Sequence, residues 1–588
     1  LRAQVSTDIT DVKQTLKYES EQPNSLYDPN GSFQSINRRY DIVYGDVMLN
    51  FNYNINRFDI AATVGWTGRY ENMNNMRVST NGGLVTENWF DLNASRYTPS
   101  STLQRMELLK TGYMGTLSLG WDNYLFLELT GRQERSSTLK DQSFFYPSAN
   151  LSFLFTQAFH MPSWWNYGKL RLSYGIVGNA PETYTANIVY EQGSDNGFTW
   201  NTIPSSWGNA DIRPEKKYEY EIGLESKFLN NRLGIDVSYY NNRVKDQILS
   251  TPQPSTSGVK NVLMNVGEVA NHGWDISISA TPILTRDFRW DLTANYGVYK
   301  NKVVKLADGV PYLEILNSGG SGIKIQAVEG QPMGDIYAQV PQVNENGEYL
   351  VSDKGLYLNQ TELQKVGNIN PAGVGGLFNS FSYKNVFLDF SIDFRIGGDV
   401  INEMNQYATA VGLTPESLKY RDTEHGGLSY YYPGDNNSSG IPVQVDPSTG
   451  AGPNGEIIYH DGIILPGVVA STGERNTRII PAGYYYNTTY NWGTEAEQLT
   501  YRHSVFDNSY VKLRELTIGY QFPEKMISKL GLGRLSVSVF GRNLFYFYKA
   551  LKNYDAESSV GTSWANQATV GSSTTATRSF GVSLRASF

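Results

Sequence analysis

The stretch Phe580-Gly581-Val582-Ser583-Leu584-Arg585-Ala586-Ser587-Phe588 alternates without interruption. Phe580, Val582, Leu584, Ala586 and Phe588 fall on one face; Gly581, Ser583, Arg585 and Ser587 fall on the other. Successive side chains of a strand point to opposite faces, so this period marks a strand lying between two different environments. The same reading fits Leu535, Val537 and Val539 against Ser536 and Ser538, and Val386, Leu388, Phe390, Ile392 and Phe394 against Asp389, Ser391, Asp393 and Arg395. It also fits Leu233, Ile235, Val237 and Tyr239, and Trp274, Ile276, Ile278 and Ala280. One strand slips: Val511 and Leu513 share a face, but the apolar phase resumes at Leu516, Ile518 and Tyr520. A β-bulge near Arg514-Glu515 is expected, because without one Glu515 would stand on the apolar face.

The gaps between strands alternate in length. Asp122-Asn123, Asn230-Asn231, Arg286-Asp287 and Lys384-Asn385 sit between paired runs and read as two-residue hairpin turns, since Asn and Asp tolerate positive φ. Other gaps are long, over 176–215, 246–268, 304–332, 397–508 and 548–574. Such loops are foreign to a compact soluble domain but belong to a membrane barrel with short turns on one side and long loops on the other. Aromatic residues gather at strand ends, as at Trp121 and Tyr124, Phe288 and Trp290, and Phe545, Tyr546 and Phe547, where interfacial girdles fall. A propeller would show a fixed blade repeat, and none is found. The count is about 15–18 strands.

Composition agrees. Charged residues make up 18% of the 588, below the roughly 25% of soluble domains. Aromatics are 13%, with 41 Tyr, and Gly numbers 56, which suits many strands and turns. No apolar run reaches the roughly 18 residues of a membrane helix, which excludes helical spanning and leaves a barrel untouched. The net charge of −8 provides no basic stripe for nucleic acid. With no Cys, a disulfide framework and thiolate metal sites are excluded. The opening Leu1-Arg2-Ala3-Gln4-Val5 reads as mid-strand, with the expectation that the chain begins inside a longer protein.

Five segments resemble the SusC (SusC/RagA-like) branch of TonB-dependent outer-membrane transporters, in the family's order. They are Glu215 to Glu225 with the Phe228-Leu229-Asn230-Asn231-Arg232-Leu233 hairpin; Asn265-Val266-Gly267-Glu268 into Asn271-His272-Gly273-Trp274; Glu329-Gly330-Gln331-Pro332-Met333-Gly334; Val366-Gly367-Asn368-Ile369-Asn370-Pro371; and Tyr510 to Tyr520 with Gly541-Arg542-Asn543-Leu544-Phe545 and Asn553-Tyr554-Asp555. The resemblance implies an all-β transmembrane antiparallel barrel, here residues 1–588 as part of a barrel of about 22 strands, with the plug and first strands outside the chain. It implies a non-enzymatic importer in the outer membrane of a Gram-negative bacterium, surrounded by membrane lipid. Oligosaccharides are the favoured cargo, with oligopeptides the alternative. A SusD-type surface lipoprotein would form a lid, TonB-ExbB-ExbD would act through the plug, and two transporter–lipoprotein pairs could form a dimer. A passive porin or a structural surface barrel are the rivals from other classes.

No catalytic signature appears: there is no HExxH, Walker loop or GxSxG elbow. For binding, the 397–508 loop stands out. Arg421, Asp422, Glu424 and His425 lie close in sequence, followed by Tyr430 and Tyr431, then Tyr485, Tyr490 and Trp492. Aromatic faces beside carboxylates and amides suit sugars or peptides, although such aromatics also serve to pack a loop against itself. No cofactor is expected. Asp435-Asn436-Asn437 and Ser352-Asp353 are oxygen-rich enough for structural Ca²⁺ but lack EF-hand spacing and read more simply as turns.

Overall fold

The computed structural model describes residues 1–20, 30–140, 143–195, 198–253, 255–318, 322–434, 440–491, 500–559, 561, 563–570 and 576–587. Asp435-Asn436-Asn437, Trp492 and Phe588 lie outside them. Two compact units are present. One comprises Leu1–Ser226, Ser238–Ala270 and Ala307–Val310, the other Lys227–Val237, Asn271–Leu306 and Pro311–Phe588. Among the described residues, the main sheet has sixteen strands whose order follows the chain. They are Arg2–Tyr18, Ser32–Ile55, Phe58–Leu84, Ser95–Trp121, Leu125–Ser136, Ser143–Phe153, Trp165–Asn179, Glu215–Phe228, Leu233–Lys245, Glu268–Leu284, Phe288–Lys305, Gly373–Tyr383, Val386–Ile396, Tyr510–Gln521, Arg534–Lys549 and Ser579–Ser587. Among the described residues, no helix is long and apolar enough to cross a membrane.

In the first unit, Ser32–Ile55 shows what the alternation does. Leu49, Phe51, Tyr53 and Ile55 are each about half exposed, while Asn50, Asn52 and Asn54 occupy the other face. A continuous apolar face of this extent needs an apolar neighbour, and in a barrel of this kind lipid provides it. The strand pairs with Phe58–Leu84 from Ile55↔Phe58 to Gln34↔Ser79. Both exceed the about 9–11 residues that cross a bilayer. Aromatics cluster where the short turns fall. Phe58 stacks on Trp121, Trp121 meets Tyr124 at 5.3 Å, and Tyr124 meets Phe153 at 6.1 Å.

The second unit repeats this arrangement. Trp290 stacks on Phe381 at 5.5 Å, and Phe381 on Phe390 at 6.1 Å. On the polar face, glycines stand opposite large rings: Gly519 faces Phe387 and Gly581 faces Phe540. A Cβ at either glycine would collide with the ring. Part of the high glycine content therefore makes room for aromatics lying flat across the ladder.

The turns follow the sequence reading with two corrections. Lys384-Asn385 is a two-residue turn with φ of 52° at Lys384. Arg286-Asp287 is bracketed by Thr285, whose N–H donates to Phe288 O at 2.8 Å. Asp122-Asn123 keeps the expected positive φ, but Tyr124 joins the loop by donating back to Trp121 O at 3.2 Å. Asn230-Asn231 likewise sits in a four-residue loop, Leu229–Arg232, closed by Arg232 N to Leu229 O at 3.3 Å. The connection expected over 304–332 runs on to 372, because its later part forms a sheet of its own. That sheet joins Tyr312–Ser318, Ile323–Val328, Asp335–Ala338 and Gln364–Asn368.

The buried apolar cores lie mostly in the connections. Leu139, Phe144, Ala186 and Ile212 form one in the first unit. In the second, Ile323, Ile325, Ile336, Ile401 and Tyr501 form another, and Leu356, Ile463, Leu465 and Ile480 a third.

The bulge falls where expected. Ser391 pairs with Glu515 and Ile392 with Leu513, so Arg514 is the extra residue. Glu515 thereby stays on the polar face, where Arg542 Nε donates to it at 3.1 Å. Arg514 donates from Nε to Asp393 at 2.5 Å, from Nη1 to Asn543 at 2.8 Å, and from Nη1 and Nη2 to Glu557 at 2.8 and 2.6 Å.

Two outcomes follow. Leu584, 70% exposed on the apolar face, should not tolerate Arg, because a lipid-facing Arg near the midplane costs about 2–4 kcal/mol. Heat-modifiable gel mobility should show less folded protein for Leu584→Arg than for Ser583→Arg; equal defects would mean that the faces are misassigned. Arg514→Ala should leave the sheet assembled but release the segment after Lys549, seen as faster limited proteolysis between residues 550 and 570. Unchanged cleavage there would show that Arg514 does not hold the segment.

Candidate functional site

The 397–509 connection folds around two short helices. Glu403–Ala410 is capped by Asn402, whose side chain accepts from Asn405 N at 3.0 Å; Ala482–Tyr490 follows later. The tyrosines read from the sequence pack inside this connection. Tyr430 is 1% exposed; it stacks on Tyr459 at 5.5 Å and donates to Asp461 at 3.1 Å. Tyr431 is also buried. Tyr485 meets Tyr490 edge-on at 6.1 Å, and Tyr490 stacks on His503 at 4.5 Å. Burial, reinforced by the neighbouring charge of Arg502, holds His503 down to about 4, so it is neutral at ordinary pH.

Arg421, Asp422, Glu424 and His425 are brought together separately, on a tight turn. Asp422 accepts from His425 N at 2.9 Å and is 2.7 Å from its Nδ1, and Gly427 N donates to Asp422 O at 2.7 Å. The His425 hydrogen bonds hold the Asp422 carboxyl below its usual range. Arg421 donates to Gly412 O at 3.3 Å. Arg421, Glu424 and His425 are exposed. At the oxygen-rich Ser352-Asp353, Ser352 closes a turn with Gly355 and Asp353 accepts from Ser471. Among the described residues, no group of three carboxylates or imidazoles converges as a metal site.

The sequence reading did not mark a cavity of about 400 Å³ at the long-loop ends of three strands, walled in part by Tyr299, Arg395, Asn508, Tyr510, Glu557 and Trp564. Tyr299, Arg395 and Tyr510 stand on the polar face, with Arg395 directly opposite Tyr510. The wall from the 550–578 connection is fixed by charge. Lys512, 3% exposed, reaches Glu557 at 2.7 Å and lies over the Tyr546 ring at 4.7 Å, while Tyr546 donates to Asp555 at 2.9 Å. The Arg514 guanidinium above all, with Lys512, holds the Glu557 carboxyl down to about 2. The sequence signals were indirect: Asn553-Tyr554-Asp555 stood out as a motif two residues before Glu557, Ile369 and Pro371 fall in another, Tyr510 opens a third, and Arg395 was read as a polar-face residue. In the first unit, the polar face carries a recess of about 570 Å³ near the short turns, with Asn52, Asn54, Asp59, Glu128 and Asn150 in its wall.

Comparison with known proteins places this geometry. A family model described as TonB dependent receptor-like, beta-barrel matches residues 2–335. TonB-dependent receptor P3 of Formosa agariphila is 24% identical over 494 residues, covering 76% of this chain and 42% of that protein. TonB-dependent receptor SusC of Bacteroides thetaiotaomicron is 30% identical over 247 residues, covering 39% of this chain and 24% of that one. The solved RagAB peptide transporter superposes with a TM-score of 0.68 at 19% identity, over 94% of this chain and 57% of its own, which shows likeness of fold. The chain spans less than half the length of the two curated relatives. From the matched barrel model and the sixteen-stranded sheet, the chain belongs to the TonB-dependent receptor family, in its β-barrel portion.

Proposed function

We propose that the protein containing this chain imports nutrient oligomers across the outer membrane of a Gram-negative bacterium, with oligosaccharides the favoured cargo. The observation that carries the reading is membership of the receptor family through its β-barrel. Energy comes from TonB-ExbB-ExbD through a plug domain. The amide- and carboxylate-lined recess of the first unit suits contact with such a plug, because its polar groups can be hydrogen-bonded by a folded domain. A SusD-type lipoprotein closes over the long connections. The family consists of receptors and transporters, and the protein acts without covalent catalysis.

The exposed Arg421, Glu424 and His425 are the solvent-facing members of the ligand contacts we assign. Asp422 holds their turn, and Tyr430, Tyr431, Tyr485 and Tyr490, packed elsewhere in the same connection, complete the described part of the set. Trp492 completes the assignment on sequence alone. The oligopeptide alternative is supported by the fold likeness to the solved peptide transporter.

Uptake of a labelled oligosaccharide by cells making the complete protein should disappear on loss of TonB. Mass spectrometry of ligand co-purified with the complex should find glycans. Peptides alone would overturn the favoured cargo, and TonB-independent uptake would overturn the energy-coupled mechanism.

A further inference from the structure

On the polar face, basic and acidic residues two positions apart pair with one another along a strand. Arg69 reaches Glu71 at 2.6 Å, Arg132 reaches Glu134 at 2.7 Å, and Arg289 reaches Asp291 at 2.5 Å. Asp393-Phe394-Arg395 has the same spacing with the acid first, yet this pair does not form. Asp393 accepts instead from the bulged Arg514. Arg395 donates only to backbone oxygens, Nε to Gly397 O at 3.2 Å and Nη2 to Ile369 O at 3.0 Å. Among the described residues it has no carboxylate within ion-pair distance; Asp399 and Asp507 act on it only at longer range. The nearby Glu557 is already bound by Arg514 and Lys512. A partly buried guanidinium without a counter-ion is a costly arrangement unless a partner arrives, and its planar fork favours a carboxylate.

A second feature of the same wall points the same way. Asn508 is 4% exposed and donates to Ala556 O at 2.9 Å, while its Oδ1 accepts no hydrogen bond. Buried acceptors are seldom left unmade. Trp564 adds a flat apolar face to the cavity.

We infer that this 400 Å³ cavity is a binding subsite for a carboxylate-bearing group with an adjacent O–H or N–H. The guanidinium of Arg395 takes the carboxylate, a small shift of Asn508 lets its Oδ1 accept from the donor, and Trp564 covers the apolar side. An acidic sugar residue and a peptide terminus share this chemistry. The subsite does not depend on which oligomer is imported.

The test uses the complete protein purified in detergent, with saturation-transfer NMR and calorimetry on four probes. These are glucuronate, its neutral counterpart glucose, alanyl-alanine, and its C-terminal amide. At least one acidic probe should bind about tenfold more tightly than its neutral counterpart, and Arg395→Gln should remove that preference. Binding of glucuronate alone would identify the source as a sugar acid, and binding of alanyl-alanine alone a peptide. Because Arg395 also holds two backbone oxygens, Trp564→Ala, which leaves them untouched, provides the second variant and should weaken the same probe. Equal binding of acidic and neutral probes by the unaltered protein, failure of both acidic probes to bind, or an unchanged preference in a folded Arg395→Gln variant would overturn the assignment. None of these outcomes bears on whether uptake depends on TonB, so the import reading stands or falls separately.

Discussion

A strand in lipid finds no water to satisfy its backbone, so its N–H and C=O groups must be hydrogen-bonded by neighbouring strands. The rest of the structure depends on that constraint. It favours a continuous ladder of long antiparallel strands over isolated hairpins, as seen in Ser32–Ile55 against Phe58–Leu84. Because one side of the ladder meets lipid, Leu49, Phe51, Tyr53 and Ile55 remain exposed without a protein partner. The wall does not need a core of the soluble kind. The buried apolar clusters appear instead in the long connections, where Ile323, Ile325 and Ile336 pack as they would in a small soluble domain.

The same constraint makes phase the quantity that local structure must protect. In a period-two element, a slip of one residue exchanges the two faces. At Arg514 the chain inserts one residue, and the faces are restored on either side: Leu513 opposite Ile392, and Glu515 opposite Ser391. The inserted side chain is then free of the alternation. It reaches across to Asp393 on one strand and to Glu557 in the connection after Lys549, so a correction of register also anchors a loop.

How legible this was depended on the range of the cause. Alternation, turn residues and the bulge are local, and were read from the sequence at Phe580–Ser587, Lys384-Asn385 and Arg514. The aromatics at Trp121 and Trp290 follow from strand ends and were equally visible. The third long connection is read from the sequence only to 332; the pairing of Asp335–Ala338 with Gln364–Asn368 shows that it runs on as a loop sheet. Tyr430 and Tyr431 stood out as chemistry-bearing, yet a long connection standing clear of the membrane must bury apolar area of its own, and large aromatics provide it. Asn508 and Trp564 were illegible for a different reason, and Arg395 was legible only as a polar-face residue of its strand. The cavity exists only because strands and connections far apart in sequence converge.

Arg395 shows how a local rule and its exception become informative together. Two-apart pairing on the polar face is nearly free of conformational demand, since the strand already points both side chains the same way. The rule is met at Arg69, Arg132 and Arg289. Where Asp393 and Arg395 depart from it, the cause can be named: the bulge supplies a competing guanidinium at 2.5 Å. The charge on Arg395 is thus left over from a register correction made on the neighbouring strand, and the loop anchored by that same correction closes a cavity around it. One inserted residue therefore preserves the faces, sets the loop and leaves a cation in the wall of a partly open polar site.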